Sequence, residues 1–265
     1  MMSILQEIKE YKLDFVENQK NKTSLSAIME NCKSLNADES NKFSSKLINE
    51  NNKKISIIGE LKRSSPSAGT IIDNNVDIIN IAKQYEENGI SCISILTDEK
   101  YFKGSINDLI EVKKHISLPI LRKDFIVDEY QIYESKVIGA DCILLILSIL
   151  DHKQACLFEN ISSEIGLDVL IEVHNEEEMK RAELMKSKLV GINNRDLNDF
   201  SIDINNSIKI SNITKSNKLI VAESGINTRQ DIDHIKNNSS IDTFLIGESL
   251  MRSPNLSQNV KNLIN

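Results

Sequence analysis

Two hydrophobic periods divide this chain. Up to about residue 50 the pattern is helical: Ile4, Leu5, Ile8, Tyr11 and Leu13 recur at approximate helical spacing. Further helical pieces are expected near Leu25–Lys33 and Lys42–Glu50. That stretch holds no convincing strand and is too short and too thinly apolar to fold alone. From Ile55 onward, short apolar runs alternate with longer amphipathic ones. The runs predict strands at Ile55–Glu60, Cys92–Leu96, Ile120–Arg122, Cys142–Ile146, Val169–Val173, Leu189–Asn193, Leu219–Glu223 and Thr243–Ile246. The amphipathic stretches predict helices at Asp77–Asn88, Ile106–His115, Glu129–Val137, Lys153–Ile165 and Glu176–Met185, with a weaker one around Asn205–Ser211.

Strands spaced roughly 27 residues apart, each followed by a helix, form the βα repeat of an eight-stranded barrel. The expected fold class is α/β, a (β/α)8 TIM barrel with an N-terminal helical extension. Residues 1–50 form the extension and 51–265 the barrel, as a single domain overall. A doubly wound open sheet would want a GxGxxG turn after an early strand, and the chain has none. Three prolines and nine glycines leave no flexible linker to divide it.

The strand ends carry the chemistry. Strand side chains alternate faces, so Ile58, Glu60 and Lys62 point one way. One such pair could be an ordinary ion pair at a strand end, but the pattern recurs. Lys123 ends the third strand, Glu172 the fifth, Asn193 the sixth and Glu223 the seventh. Parity aims all six at one place, and a barrel of this kind gathers its active site at the C-terminal strand ends. Charged residues are rarely buried unpaired, so this convergence reads as a catalytic or binding site. Two glycine turns follow the last two strands, Ser224-Gly225-Ile226 and Gly247-Glu248-Ser249. In many barrels those loops bind phosphate, because glycine permits close backbone approach and N–H groups at a helix start face the anion.

Composition narrows the partners. The chain has 32 basic and 39 acidic residues, a net charge of −7, which argues against nucleic acid or an anionic membrane as the main partner. A local basic cleft can still take a small anion. No apolar run approaches the roughly 18 residues that span a bilayer, and no signal segment is evident. The four cysteines lack metal spacing, and Cys92 and Cys142 read as small buried residues within strands. A reducing cytoplasm is the expected location, and the chain is expected to be a monomer or a weak homo-oligomer.

The motif Glu60-x-Lys62-x-x-Ser65-Pro66-Ser67-x-Gly69 resembles the strand-one signature of indole-3-glycerol phosphate synthases. The resemblance continues through Leu96–Ser105, Leu121–Ile126, Gly139–Asp141, Ile171–Val173, Gly191–Leu197, Val221–Ile226 and Ile246–Arg252. Ser3-Ile4-Leu5 is similar to the start of that family's N-terminal extension, which lies over the barrel mouth. The resemblance implies ring closure, decarboxylation and dehydration of 1-(2-carboxyphenylamino)-1-deoxyribulose 5-phosphate, without metal or redox cofactor. It implies Lys123 as the acid of ring closure and Glu172 as the base of dehydration. Lys62 would bind substrate anions and is a candidate acid of dehydration, and which of Lys62 and Lys123 is the acid in each step is open. Glu60 and Asn193 would orient the lysines and substrate hydroxyls. Ser65, Glu223 and Ser224 would complete the pocket, Phe102, Phe125 and Leu144 would hold the aromatic ring, and Gly225, Gly247, Glu248 and Ser249 the phosphate. Arg195 would order the strand-six loop, and His174 is assigned no chemistry.

Overall fold

The computed structural model describes residues 4–35, 42–49, 55–73, 75–196, 199–215 and 217–265. Ser3, Glu50 and Leu197, and with them the boundary between extension and barrel, lie outside the described residues. Among the described residues, eight parallel strands close a barrel: β1 (Ser56–Leu61), β4 (Cys92–Leu96), β5 (Ile120–Lys123), β6 (Cys142–Ile146), β7 (Asp168–Val173), β8 (Leu189–Asn193), β9 (Leu219–Glu223) and β10 (Thr243–Ile246). β1 closes the ring by pairing with both β4 and β10. A hairpin of β2 (Ser64–Ser65) and β3 (Gly69–Thr70) projects beyond β1. Seven of the eight barrel strands are buried along nearly their whole length because helices cover their outer face while inner faces fill one another. That is why they read as continuous apolar runs.

The helices begin where the chain supplies a cap. Asp77, Ser105, Asp128, Asp151, Asn175 and Thr228 each accept a backbone N–H at the start of α4 (Ile78–Glu87), α6 (Ile106–Lys113), α7 (Glu129–Val137), α8 (His152–Glu164), α9 (Glu176–Glu183) and α11 (Arg229–Asn238). Such a cap contributes about 1 kcal/mol and fixes where each loop hands over to its helix. Periodicity did not single out the hairpin, α11, the C-terminal helix α13 (Leu256–Ile264), or the single turn α5 (Glu99–Phe102). α5 is too short to show a period; it exists because Asp98 Oδ1 accepts Tyr101 N–H at 2.7 Å.

The N-terminal helices sit at two ends of the barrel. α3 (Lys42–Asn49) buries Phe43 and Leu47, and its Ser44 N–H and Oγ donate to Asp168 at the start of β7, at 2.9 and 2.8 Å. α1 (Ile4–Lys22) lies at the opposite, C-terminal end, where Lys9 Nζ donates to Ile149 O at 2.6 Å. Val16 of α1 packs with Ile28 of α2 (Leu25–Lys33) and Tyr130 of α7.

Candidate active site

Sheet register decides which side chains stand level at the mouth. Glu172 pairs with Gly191 across β7 and β8, and Asn193 with Glu223 across β8 and β9. Glu60, Lys62, Lys123, Glu172, Asn193 and Glu223 all line one cavity of about 270 Å³. Ile4, Leu5 and Ile8 of α1 form part of its wall.

Lys123 is the hub. Its Nζ donates to Glu172 Oε2 at 2.8 Å and to Glu223 Oε2 at 2.7 Å. Burial pulls its pKa down, but Glu172, Glu223 and Glu60 outweigh that and raise it, so the lysine is an ammonium at neutral pH. Burial likewise disfavours the Glu172 charge, yet Lys123 and His174 outweigh it and hold that carboxyl well below its usual range. Glu223 goes the other way. Burial and the neighbouring Glu172 charge push its carboxyl up, against Lys123. Two carboxylates share one cation, and their titrations belong to the pair. Glu223 Oε1 is buried without a hydrogen-bond partner. A Cβ at Gly191 would overlap that oxygen, so the glycine makes room for the carboxylate. On the other side of the mouth, Lys62 Nζ pairs with Glu60 Oε1 at 2.6 Å.

The apolar wall faces these charges. Phe102 and Phe125 lie with ring centroids 6.0 Å apart, tilted by 40°, and Leu144 lines the same cavity. Ser65, Ser224, Gly225, Gly247 and Glu248 complete the lining; Ser249 lies behind it, with Oγ donating to Ile226 O at 3.4 Å. Arg195 Nη1 donates to Phe200 O at 3.2 Å, so it orders its own loop while lining the cavity.

The sequence resemblance extends beyond motifs. A model of the indole-3-glycerol phosphate synthase family matches residues 5–263. An indole-3-glycerol phosphate synthase of Legionella pneumophila (strain Paris) is 41% identical over 264 residues, covering 100% of this chain and 99% of that protein. Another, from Thermoanaerobacter pseudethanolicus, is 49% identical over 198 residues, 75% of each chain. The chain belongs to the indole-3-glycerol phosphate synthase family. Solved structures at low identity share only its fold. The tryptophan synthase alpha subunit of Legionella pneumophila str. Paris superposes with a TM-score of 0.61 at 11% identity, over 84% of this chain and 97% of that one. A thiamine phosphate pyrophosphorylase from Pyrococcus furiosus gives 0.59 at 14%, over 80% and 94%.

Within this family member the two glycine turns have a reason that motif reading missed. Ser224 and Gly225 are successive left-handed residues, φ 65° and 79°. A Cβ at Gly225 would overlap the Ile202 side chain, and one at Gly247 would meet Glu60 Oε1 at 2.6 Å. At both turns the space freed by glycine is taken by protein. Residues outside the strand-end pattern also serve the site. Lys12 of α1 is 2% exposed and bonds Asp98 and Asp124, each at 2.8 Å. It ties the extension to the loops that carry Phe102 and Phe125. Arg122 points away from the cavity, as parity requires, and bonds Ser135 Oγ and Glu134 beneath α7. Its buried pairing anchors the strand that presents Lys123. No period announces Lys12: a lysine in a helix of mixed polarity reads as solvated.

Proposed function

We propose that the barrel mouth runs the family's reaction with Lys123 and Glu172 as its proton donor and acceptor. The single observation that carries this assignment is Lys123 held between Glu172 and Glu223 at the cavity floor. As an indole-3-glycerol phosphate synthase, the chain is a carboxy-lyase acting on a phosphorylated small molecule. The ring carbon that bears the carboxylate attacks the ribulose ketone while Lys123 protonates the ketone oxygen, where negative charge develops. Carbon dioxide leaves with its bonding pair returned to the ring. Glu172 then removes the C–H proton beside nitrogen as the hydroxyl leaves as water. No step transfers electrons to an external acceptor, so the chemistry calls for no redox cofactor.

Glu60 orients Lys62, and Asn193 orients Glu172 through its 3.2 Å bond from Nδ2 to Oε1. Phe102, Phe125 and Leu144 take the aromatic ring, Ser65 and Glu223 complete the pocket, and the phosphate meets the chain at Ser224-Gly225 and Gly247-Glu248-Ser249. Residues 1–50 and 51–265 act as one domain, with α1 as cover. No helix among the described residues is long and apolar enough to cross a membrane. The chain works in the cytoplasm, as a monomer or weak homo-oligomer, without nucleic acid.

The test uses the absence of tryptophan from the chain. Substrate added with chelator present should give indole emission over a low protein background. Lys123→Met should lose most of the turnover and keep most of the affinity, since a proton donor acts in the transition state and affinity is spread over phosphate, carboxylate and ring. Folded wild-type protein that leaves the substrate unchanged refutes the reading, and near-wild-type turnover of Lys123→Met removes that residue from it. Borohydride capture of substrate on Lys123 would favour Schiff-base chemistry instead.

A further inference from the structure

The proposed reaction consumes one proton per turnover. Ring closure protonates the ketone oxygen, dehydration protonates the departing hydroxyl, and loss of the C–H proton returns one. Carbon dioxide leaves without a proton. If Lys123 supplies both protons, Glu172 can hand back one across their 2.8 Å contact, and the other has to enter from outside.

The structure offers a path. The two oxygens of Glu172 face different partners. Oε2 accepts from Lys123, while Oε1 accepts from Asn193 Nδ2 at 3.2 Å and lies 3.2 Å from His174 Nε2, which is buried and makes no hydrogen bond in this geometry. Beyond the imidazole, His174 Nδ1 lies 3.1 Å from Glu178 Oε2. Glu178 is itself fixed: the His174 backbone N–H donates to Oε2 at 2.8 Å, and Asn175 Nδ2 to Oε1 at 2.9 Å. His174 does not line the substrate cavity. It lines a second, polar cavity of about 560 Å³ with Lys9, Asn175, Glu178 and Asp203. That space is large and polar enough for water. Asn193 and Arg195 border both cavities.

We propose that His174 is a positioning residue that orients Glu172 and delivers protons to it from the second cavity. This rests on Glu172 as the base and on Lys123 as the donor in both protonations. The step balances with one proton drawn from solvent per turnover. The Nε2–H bond of His174 breaks and an O–H bond forms at Glu172 Oε1. Glu172 then releases a proton to the neutral Lys123 amine, and His174 regains one at its imidazole from hydronium or a buffer acid in bulk solvent, relayed through water in the second cavity. The charged groups that face the ring are Glu172 on β7 and Glu178 on α9; Lys9 of α1 and Arg195, Asp196 and Asp203 after β8 line the same space. Burial pulls the imidazole pKa down, but the two carboxylates outweigh it and raise it to about 9, so the ring is charged at neutral pH.

His174→Asn, which can hydrogen-bond but cannot titrate, tests this. In the full chain its kcat should fall by about tenfold or more, with a larger solvent isotope effect and a KM within about twofold of wild type. Added imidazole should restore part of the rate in His174→Ala. Glu178→Gln keeps the ring and removes one carboxylate, so the alkaline limb of kcat should move to lower pH. If His174→Asn does not fold, an unmoved alkaline limb in Glu178→Gln overturns the proposal. A folded His174→Asn with wild-type kcat and isotope effect at every pH also overturns it. Both results leave wild-type turnover intact, whereas failure of the wild-type chain to form indole sinks the functional reading itself.

Discussion

Gly247→Ala separates two reasons for a glycine at the end of β10. If the residue is glycine so that phosphate can approach the backbone, a methyl group there should raise KM and spare kcat. The structure points elsewhere. The added Cβ would meet Glu60 Oε1 at 2.6 Å, Glu60 Cβ at 3.0 Å and Glu60 Cδ at 3.2 Å. Contacts under 3.0 Å force a shift, and ordinary contact begins at 3.4 Å, so the carboxylate has to withdraw by about 0.8 Å. Rotation of the side chain relieves the contacts of Oε1 and Cδ. It cannot relieve Cβ, which the β1 backbone holds in register with β10 through the Gly59–Ile246 pair. Glu60 should therefore swing off Lys62, breaking their 2.6 Å contact, and β1 should strain against β10. Overpacking of this kind costs about 1–3 kcal/mol. Misplacement of a catalytic group by about 1 Å costs on the order of a hundredfold in rate. Indole emission gives kcat and KM, and urea unfolding gives stability. The expected result is a kcat lower by roughly ten- to a hundredfold, KM within about twofold and a lower unfolding midpoint. A raised KM at wild-type kcat and stability would refute the steric reasoning and restore the phosphate explanation for that glycine.

Three further outcomes follow from named contacts. Lys12→Met removes the cation that Asp98 and Asp124 share, leaving Asp98 buried without its ion pair while Asp124 keeps Arg122, and should lower unfolding free energy by about 3–5 kcal/mol in urea titrations. Burial alone would raise the Asp124 carboxyl, but Lys12 and Arg122 outweigh it and bring it down to about 2. A depressed carboxyl stabilises fully above its unfolded value and loses that contribution as pH falls through the folded one. About 2 kcal/mol should therefore vanish between roughly pH 4 and pH 2, and Asp124→Asn should flatten that window of the stability profile. Sulfate or phosphate soaked into crystals should sit against the backbone at Ser224-Gly225 and Gly247–Ser249; an anion that fills other sites and consistently avoids these loops would refute the phosphate assignment.

The barrel was legible because its elements report local physics. β4, β6, β8, β9 and β10 have the bounds their apolar runs predict, since a strand buried on both faces is apolar at most positions. Parity along single strands was enough to collect Glu60, Lys62, Lys123, Glu172, Asn193 and Glu223, because side-chain direction in a strand is a property of the backbone. α5 and the β2–β3 hairpin escaped notice because elements of two to four residues have no period to read. Distances between strands are a different matter. That Lys123 takes two carboxylates, that Glu223 Oε1 has no partner, and that Gly247 yields its space to Glu60 depend on register between strands far apart in the chain. Lys12 and His174 show the same limit. Each is an unremarkable polar residue in its own segment, and each acquires its meaning from carboxylates that folding brings to it: Asp98 and Asp124 for one, Glu172 and Glu178 for the other. Local patterns are written in neighbouring residues, whereas the partner that sets a buried charge is chosen by closure of the barrel.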